Sequence, residues 1–309
     1  MKRSFRSLQE QFSIHLQNEV MDKKNIRALI HLLDDPDTEV SSVVTGNLRE
    51  LGTGIIPELE SAWEKTADHL HQEKIENIIR DIQFGNVKEK LAGWVAGGSA
   101  DLLEGVCWIA RYQYPELETN EVKEAIKKIS DDIWLELNNK LTALEKVRIM
   151  NHFIFDVHKF SKNRKHINSP RNSYINLVLE SRKGNPISLA IIYILVARNL
   201  DLPVYGVSLP KIFLAAWMNE SKALKRKTPP AGALFYINPY QKGAVLGKKE
   251  ILMYLKQQKM EPHPHYFTPC DNRTIAERLL LGMIFAYEKA GYKDKSADLK
   301  ELMRIFRPG

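Results

Sequence analysis

Between Ile187 and Ala197 the chain has almost no polar position. Ile187, Leu189, Ile191, Ile192, Ile194, Leu195 and Val196 cover every side of a helix, so the pattern predicts one enclosed by protein all round. Gly184 and Pro186 mark its start, because proline is tolerated in a first turn whose N–H groups have no partner. The run is well short of the ~20 apolar residues that span a bilayer, and no membrane segment is read. Apolar runs after it predict strands over Val204 to Leu209, Ile212 to Trp217 and Ala233 to Ile237. The last two are joined by Asn219 to Gly232, basic and containing Pro229-Pro230, which is expected to be an exposed and mobile loop.

Helical spacing dominates elsewhere. From Ile26 a first helix carries Leu29, Leu32 and Leu33 and stops at Asp34-Asp35-Pro36. Asp37 is placed to cap a second, with Val40, Val43, Val44, Leu48 and Leu51 along one side and Gly52 at its end. Gly54 to Leu59 opens another. The pair resembles one HEAT-type repeat, and a single repeat is expected to pack on a neighbouring domain, since solenoids need about three or more. Glycines from Gly93 to Ser99 suggest a turn or close packing, Leu102 to Ala110 reads as helix, and Tyr112 to Leu117 as extended around Pro115. Asn120 is the expected cap of a helix carrying Val122, Ile126, Ile129, Ile133 and Leu137, and Leu144 to Phe155 is the next. Thr274 to Ala290, ended by Gly291, and Ala297 to Phe306 form a terminal pair resembling a TPR-like hairpin, a cover for the core or a peptide groove. The whole predicts a helix-rich α+β protein with antiparallel strands in its central part, in three domains: 1–92, 93–262 and 263–309.

Composition narrows the class. The 309 residues are 44% hydrophobic and 27% charged, enough for a sizeable core. Two distant cysteines, Cys107 and Cys270, argue against a disulfide framework and fit a reducing cytoplasm. The basic start Met1 to Arg6 is not followed by an apolar run, so it does not read as a secretory signal.

About half of the chain resembles the SirB1-type transglutaminase-like proteins. The residues that carry the resemblance are Pro170-Arg-Asn-Ser-Tyr174, Gly184-Asn-Pro-Ile-Ser-Leu189, Gly206-Val-Ser-Leu-Pro210 with Phe213, Tyr236-Ile-Asn-Pro-Tyr240 with Gly243, and Ile109 to Pro115. It spans roughly Asp101 to Leu255 and implies a transglutaminase-like core, with Arg171, Asn172, Tyr174, Asn185 and Ser188 as cleft-lining candidates. Relatives in the wider superfamily place a cysteine near the start of the buried helix, a histidine on the next strand and an aspartate on the one after. By motif order those positions are Pro186, Ile212 and Asn238, which are expected to converge, with Ile212 and Asn238 on neighbouring strands facing the helix start.

None of the three can do that chemistry. No shift of register helps: the chain has no cysteine between Trp108 and Pro269, no histidine between His166 and His263, and no aspartate from Leu202 to Pro269. A thiol, an imidazole and an orienting carboxylate cannot therefore meet on the helix and two strands. Ser188 is the remaining hydroxyl near the helix start, and its nearest base by sequence is Lys211, which strand alternation turns to the opposite face. The plainer reading of Ser188 is local backbone capping, and of Asn238-Pro239 a strand end and turn.

Charge supplies a rival. The formal net charge is +7, and Lys159, Lys162, Arg164, Lys165 and Arg171 follow one another with no acid between them. Lys225, Arg226 and Lys227 belong to a second cluster. Such patches suit anions, nucleic acid included, although a solvated face is their commoner meaning. Arg171 stands apart as a guanidinium that can hold backbone carbonyls. His69/His71 and His263/His265, spaced i,i+2, do not share a helix face and suggest no metal site. No cofactor fingerprint is present. The expected protein is cytoplasmic and non-catalytic, and it binds or scaffolds a protein, peptide or small ligand. The alternatives are a nucleic-acid-binding protein acting through its basic surface clusters and a hydrolase or transamidase with an unidentified nucleophile.

Overall fold

The computed structural model describes residues 24–219 and 232–307. The chain divides into two compact units, Met1–Glu89 and Lys90–Gly309.

In the first unit residues 24–31 are helical, a 3-10 turn follows at Leu32–Asp34, and then come α1 (Thr38–Glu50), α2 (Ile56–Lys65) and the beginning of α3 (His69–Ala96). Asp37 caps α1 as its sequence position suggests, its carboxylate accepting from Glu39 N at 2.8 Å. The core is Ile30, Leu33, Val44, Leu48, Ile55, Leu59, Ile75, Ile78 and Ile82. Leu32, Val43 and Leu51, expected in the apolar stripe, are exposed. The 3-10 turn redirects Leu32, and a step of one residue rotates Val43 away from the line through Val44 and Leu48.

Gly93 lies inside α3, whose end is the Gly97-Gly98 turn with Gly98 at φ 84°. The second unit continues with α4 (Leu102–Arg111), α5 (Thr119–Trp134) and α6 (Ala143–Asn151). The segment expected to be extended from Tyr112 to Leu117 is instead a pair of turns, in which Tyr114 N donates to Ala110 O and Leu117 N to Tyr114 O. The N-cap of α5 is Glu118, so Asn120 sits within its first turn. A single π-helical stretch, His152–Val157, prolongs α6. Next come β1 (Ser161–Lys162), α7 (Ile175–Ser181), β2 (Lys183–Gly184), α8 (Pro186–Asn199) and the four-stranded antiparallel sheet β3 (Val204–Ser208), β4 (Phe213–Met218), β5 (Ala233–Asn238) and β6 (Ala244–Leu246), in that spatial order. β1 and β2 form a separate parallel pair. Helices α9 (Lys248–Gln257), α10 (Asn272–Ala290) and α11 (Lys293–Phe306) complete a helix-rich α+β fold. The short strands β1, β2 and β6 were not legible as apolar runs.

Every residue of α8 from Ile187 to Ala197 is buried. The helix packs on α5, α7, α10, β3 and β4. One sheet face sets Val207, Leu214, Ala216, Met218 and Tyr236 against Ile251 and Leu255 of α9. On the alternate face Gly206 lies under the Phe213 ring and Ile275 of α10, too close to admit a Cβ. β3 and β4 are joined by Pro210-Lys211, closed by Leu209 N donating to Ile212 O at 3.3 Å, with Lys211 at φ 64°. That left-handed position after proline is one that type II turns ordinarily reserve for glycine or asparagine.

A polar pin ties the helices to the far end of the sheet. Tyr193 Oη on α8 donates to Asn151 Oδ1 (3.1 Å), and Asn151 Nδ2 donates to Gly243 O (2.9 Å). Gly243 has φ 73°, and a Cβ there would overlap the Asn151 amide. Two substitutions follow from this geometry. Gly243→Ala combines left-handed strain with loss of the pin and should lower unfolding free energy by about 2–4 kcal/mol. Lys211→Gly should raise it by about 0.5–1 kcal/mol, strain relief outweighing the added freedom of the unfolded chain. Urea midpoints of both variants check the signs, and an unchanged midpoint for Gly243→Ala would dismiss the pin.

Candidate functional site

Pro186 is the first residue of α8, directly behind its N-cap Asn185. Asn185 and Ser188 form a reciprocal capping box. Asn185 Oδ1 accepts from Ser188 N (2.9 Å), while Ser188 Oγ accepts from Asn185 N (3.0 Å) and donates to Asn185 O (3.3 Å). Ser188 is 1% exposed, and Gly184 packs so tightly on it that a Cβ there would overlap its hydroxyl. Its oxygen is occupied by backbone and closed to substrate. Lys211, weighed as its base, points elsewhere, with Nζ donating to Gln258 Oε1 at 3.0 Å.

Asn238 closes β5, and the Ala215–Ile237 pairing sets it beside the first residues of β4. Its carbonyl accepts from Gly243 N at 2.9 Å, and Pro239 begins a 3-10 turn. Ile212 precedes β4 and packs on the apolar cluster beneath α9. It is a packing residue of that sheet face. The five cleft candidates separate in the same way. Tyr174 is buried, its hydroxyl 2.7 Å from that of Tyr287, and burial holds its pKa above the ordinary phenol range. Asn185 Nδ2 donates to Ser173 Oγ (2.8 Å). Arg171, a candidate for holding backbone carbonyls, is exposed and makes no such bond among the described residues.

The open space lies beside these positions. A cavity of about 680 Å³ is lined by Lys162, Arg164 and Lys165 on one side, by Lys183 from β2, and by Pro239, Tyr240 and Lys242 from the turn after Asn238. Phe155, delivered by the π-helical stretch, forms part of its wall. Five lining side chains are cations and none is a carboxylate. Lys162, Arg164 and Lys165, expected to form an anion-binding surface, border this concave site. Lys225, Arg226 and Lys227 lie outside the described residues.

The basic loop is held in shape from below by Asn172, 3% exposed. Its Nδ2 donates to His166 O (2.7 Å) and Ile167 O (3.1 Å), and its Oδ1 accepts from Asn163 Nδ2 (2.9 Å). Asn172, named from sequence as a lining residue, is instead the support of the wall. Lys183 Nζ donates to Ser161 Oγ (2.6 Å), and Lys242 Nζ pairs with Asp156 Oδ1 at 3.3 Å. Lys162 Nζ stands 5.6 Å from the centre of the Tyr240 ring, within cation–π range. Sequence reasoning missed Lys183, Tyr240 and Lys242. The family-like Asn-Pro-Tyr segment was visible, but nothing local showed that its turn meets the basic loop.

Neither cysteine is poised as a nucleophile. Burial pushes the Cys107 thiol up to about 11 and the Cys270 thiol up to about 12. Among the described residues no three histidine, cysteine or acidic side chains cluster as a metal site would require.

A fold with a buried helix feeding an antiparallel sheet, and the motifs at the junctions, define a transglutaminase-like core. The family model of the transglutaminase-like superfamily matches residues 120–281, and the chain belongs to that superfamily. It is 28% identical over 207 residues to a UPF0162 protein of Xylella fastidiosa, covering 63% of this chain and 68% of the relative. It is 25% identical over 208 residues to UPF0162 protein PA3419 of Pseudomonas aeruginosa, covering 67% and 72%. A shorter segment of 101 residues is 34% identical to the Homo sapiens F-box only protein 21, covering 33% of this chain and 16% of that one. No solved structure gives a significant match. No described helix is long and apolar enough to cross a membrane.

The thiol environments make a direct prediction. Burial keeps both thiols protonated at pH 8, so iodoacetamide should leave both unmodified in the folded protein and label both in urea, as read by mass spectrometry. Rapid labelling of either at pH 8 would reveal an activated thiol. The sign of the linkage follows: folding holds both thiols protonated above their ordinary 9.0, so the stability they contribute is complete below pH 9 and is lost as pH rises through 11 to 12.

Proposed function

We propose that this protein is a non-catalytic, SirB1-type member of the superfamily, a pseudoenzyme that serves as a binding or scaffolding module for a protein, peptide or small ligand. One observation carries the reading: the residue at the start of α8 is Pro186, which has no heteroatom in its side chain, and the neighbouring hydroxyl of Ser188 is spent in the capping box. A cysteine-type acyl transfer needs a thiolate and a base at that junction. Ile212 and Asn238 supply neither a base nor a charge to orient one.

A protein or peptide partner is the first choice. On this reading residues 1–92 act as a HEAT-like helical segment, 93–262 as the core and 263–309 as a TPR-like hairpin, and helical repeats of both kinds offer faces for chains to dock on. Two unpaired cysteines suit a cytoplasmic setting. The second reading, nucleic-acid binding, is favoured by one observation, the five cations around the cavity.

The test pairs an activity assay with a binding assay. Incubation with glutamine-containing peptides and a primary amine should give no ammonia release and no amine incorporation above buffer, for wild type and for Ser188→Ala alike. Ser188→Ala should cost about 1 kcal/mol through the cap alone. A random-peptide library should enrich the same consensus on both proteins. Turnover that disappears with Ser188→Ala would return the protein to the enzymes.

A further inference from the structure

The cavity beside the start of α8 has a chemistry of its own. Its lining holds five cations and no carboxylate, and Asp156, next in sequence to the lining Phe155, is paired with Lys242. Like charges converging on one space repel, and an empty site of this kind is stabilised by an anion entering it. A volume of about 680 Å³ lies in the range of small-molecule sites and is far too small for a duplex. Arg164 and Lys165 make no hydrogen bond or ion pair among the described residues and are exposed at the rim, so both can turn toward a ligand. An arginine fork and lysine point charges together suit phosphate oxygens.

Two further features say what else the ligand carries. Tyr240 lines the same space, half-buried, with Lys162 near its ring, so a planar group can lie on the phenol while its phosphates meet the cations. The walls are also set in advance. The loop carrying Arg164 and Lys165 is closed by His166 N donating to Asn163 Oδ1 (3.1 Å) and is anchored to buried Asn172, which reduces the ordering cost of binding.

We propose that this cavity binds a phosphorylated small molecule with a planar ring, the nucleotide class, its phosphates held by Lys162, Arg164, Lys165 and Lys183 and its ring against Tyr240. The proposal rests on reading the core as a binding scaffold, and it deepens that reading by naming a ligand class and the residues that hold it. No bond is made or broken in the site. Binding at a junction built from β1, β2 and the turn after β5 also ties three chain segments together, so ligand should raise thermal stability.

The test uses the full chain in thermal-shift and calorimetric titrations with ADP, inorganic pyrophosphate, adenosine, a single-stranded RNA and a glutamate-rich peptide. ADP and pyrophosphate should bind, with ADP at a hundredfold excess over its Kd raising the melting temperature by roughly 5–10 °C, while adenosine gives no shift. Arg164→Glu/Lys165→Glu should leave the unliganded melting temperature unchanged and weaken ADP by about 30-fold or more, because it reverses charge at exposed positions that hold nothing in the fold. Tyr240→Ala should weaken ADP and spare pyrophosphate. No shift with either phosphate compound, an equal shift in the double variant, or equal loss of ADP and pyrophosphate affinity in Tyr240→Ala would overturn the proposal. So would RNA or the acidic peptide binding more tightly than ADP. The amine-incorporation assay is independent of all these arms, so a catalytic protein and an empty cavity give different results.

Discussion

The second unit depends on a helix that has no side to show to water. Because every residue of α8 from Ile187 to Ala197 is apolar or small or has its polar atom matched, neighbours must surround it, and α5, α7, α10 and the sheet do so. A single truncation such as Ile192→Ala would cost about 2–5 kcal/mol in such a setting. The polar groups on the helix are the places where the fold had to answer. Ser188 is matched by its own N-cap, Tyr193 by Asn151, and Arg198 by Asn272 at 2.7 Å. Burial lowers the pKa of Arg198 and raises that of Tyr193, the expected directions for groups taken out of water.

Those matches transmit order to the edges of the unit. Asn151 bridges α8 to Gly243, and the same turn, begun at Asn238, is closed by Gly243 N. Asn272 reaches from Arg198 to the carbonyls of Ser99 and Ala100 at 2.8 and 2.9 Å, which fixes the start of α10 against the loop before α4. Pro186, Ile212 and Asn238 each hold the scaffold: a proline that starts a helix, an isoleucine in a sheet-face cluster and an asparagine that ends a strand.

The sequence alone was enough for the buried helix, its start at Pro186, the three longer strands and the Asp37 cap. All of these are local: periodicity, or a cap two or three residues away. It misjudged Leu32, Val43 and Leu51, because one residue of rotation or one 3-10 turn moves a side chain to the other side of a stripe. It read Tyr112 to Leu117 as extended, where hydrogen bonds back to Ala110 make turns. What only the tertiary structure decided is the site. Lys183, Tyr240 and Lys242 join Lys162, Arg164 and Lys165 across gaps of up to eighty residues because β1 pairs with β2 and the turn after β5 packs against both β1 and α8. Charge clusters in sequence carry no depth: whether they make a convex face or a cavity is set by which distant segments close over them, and that is decided by packing.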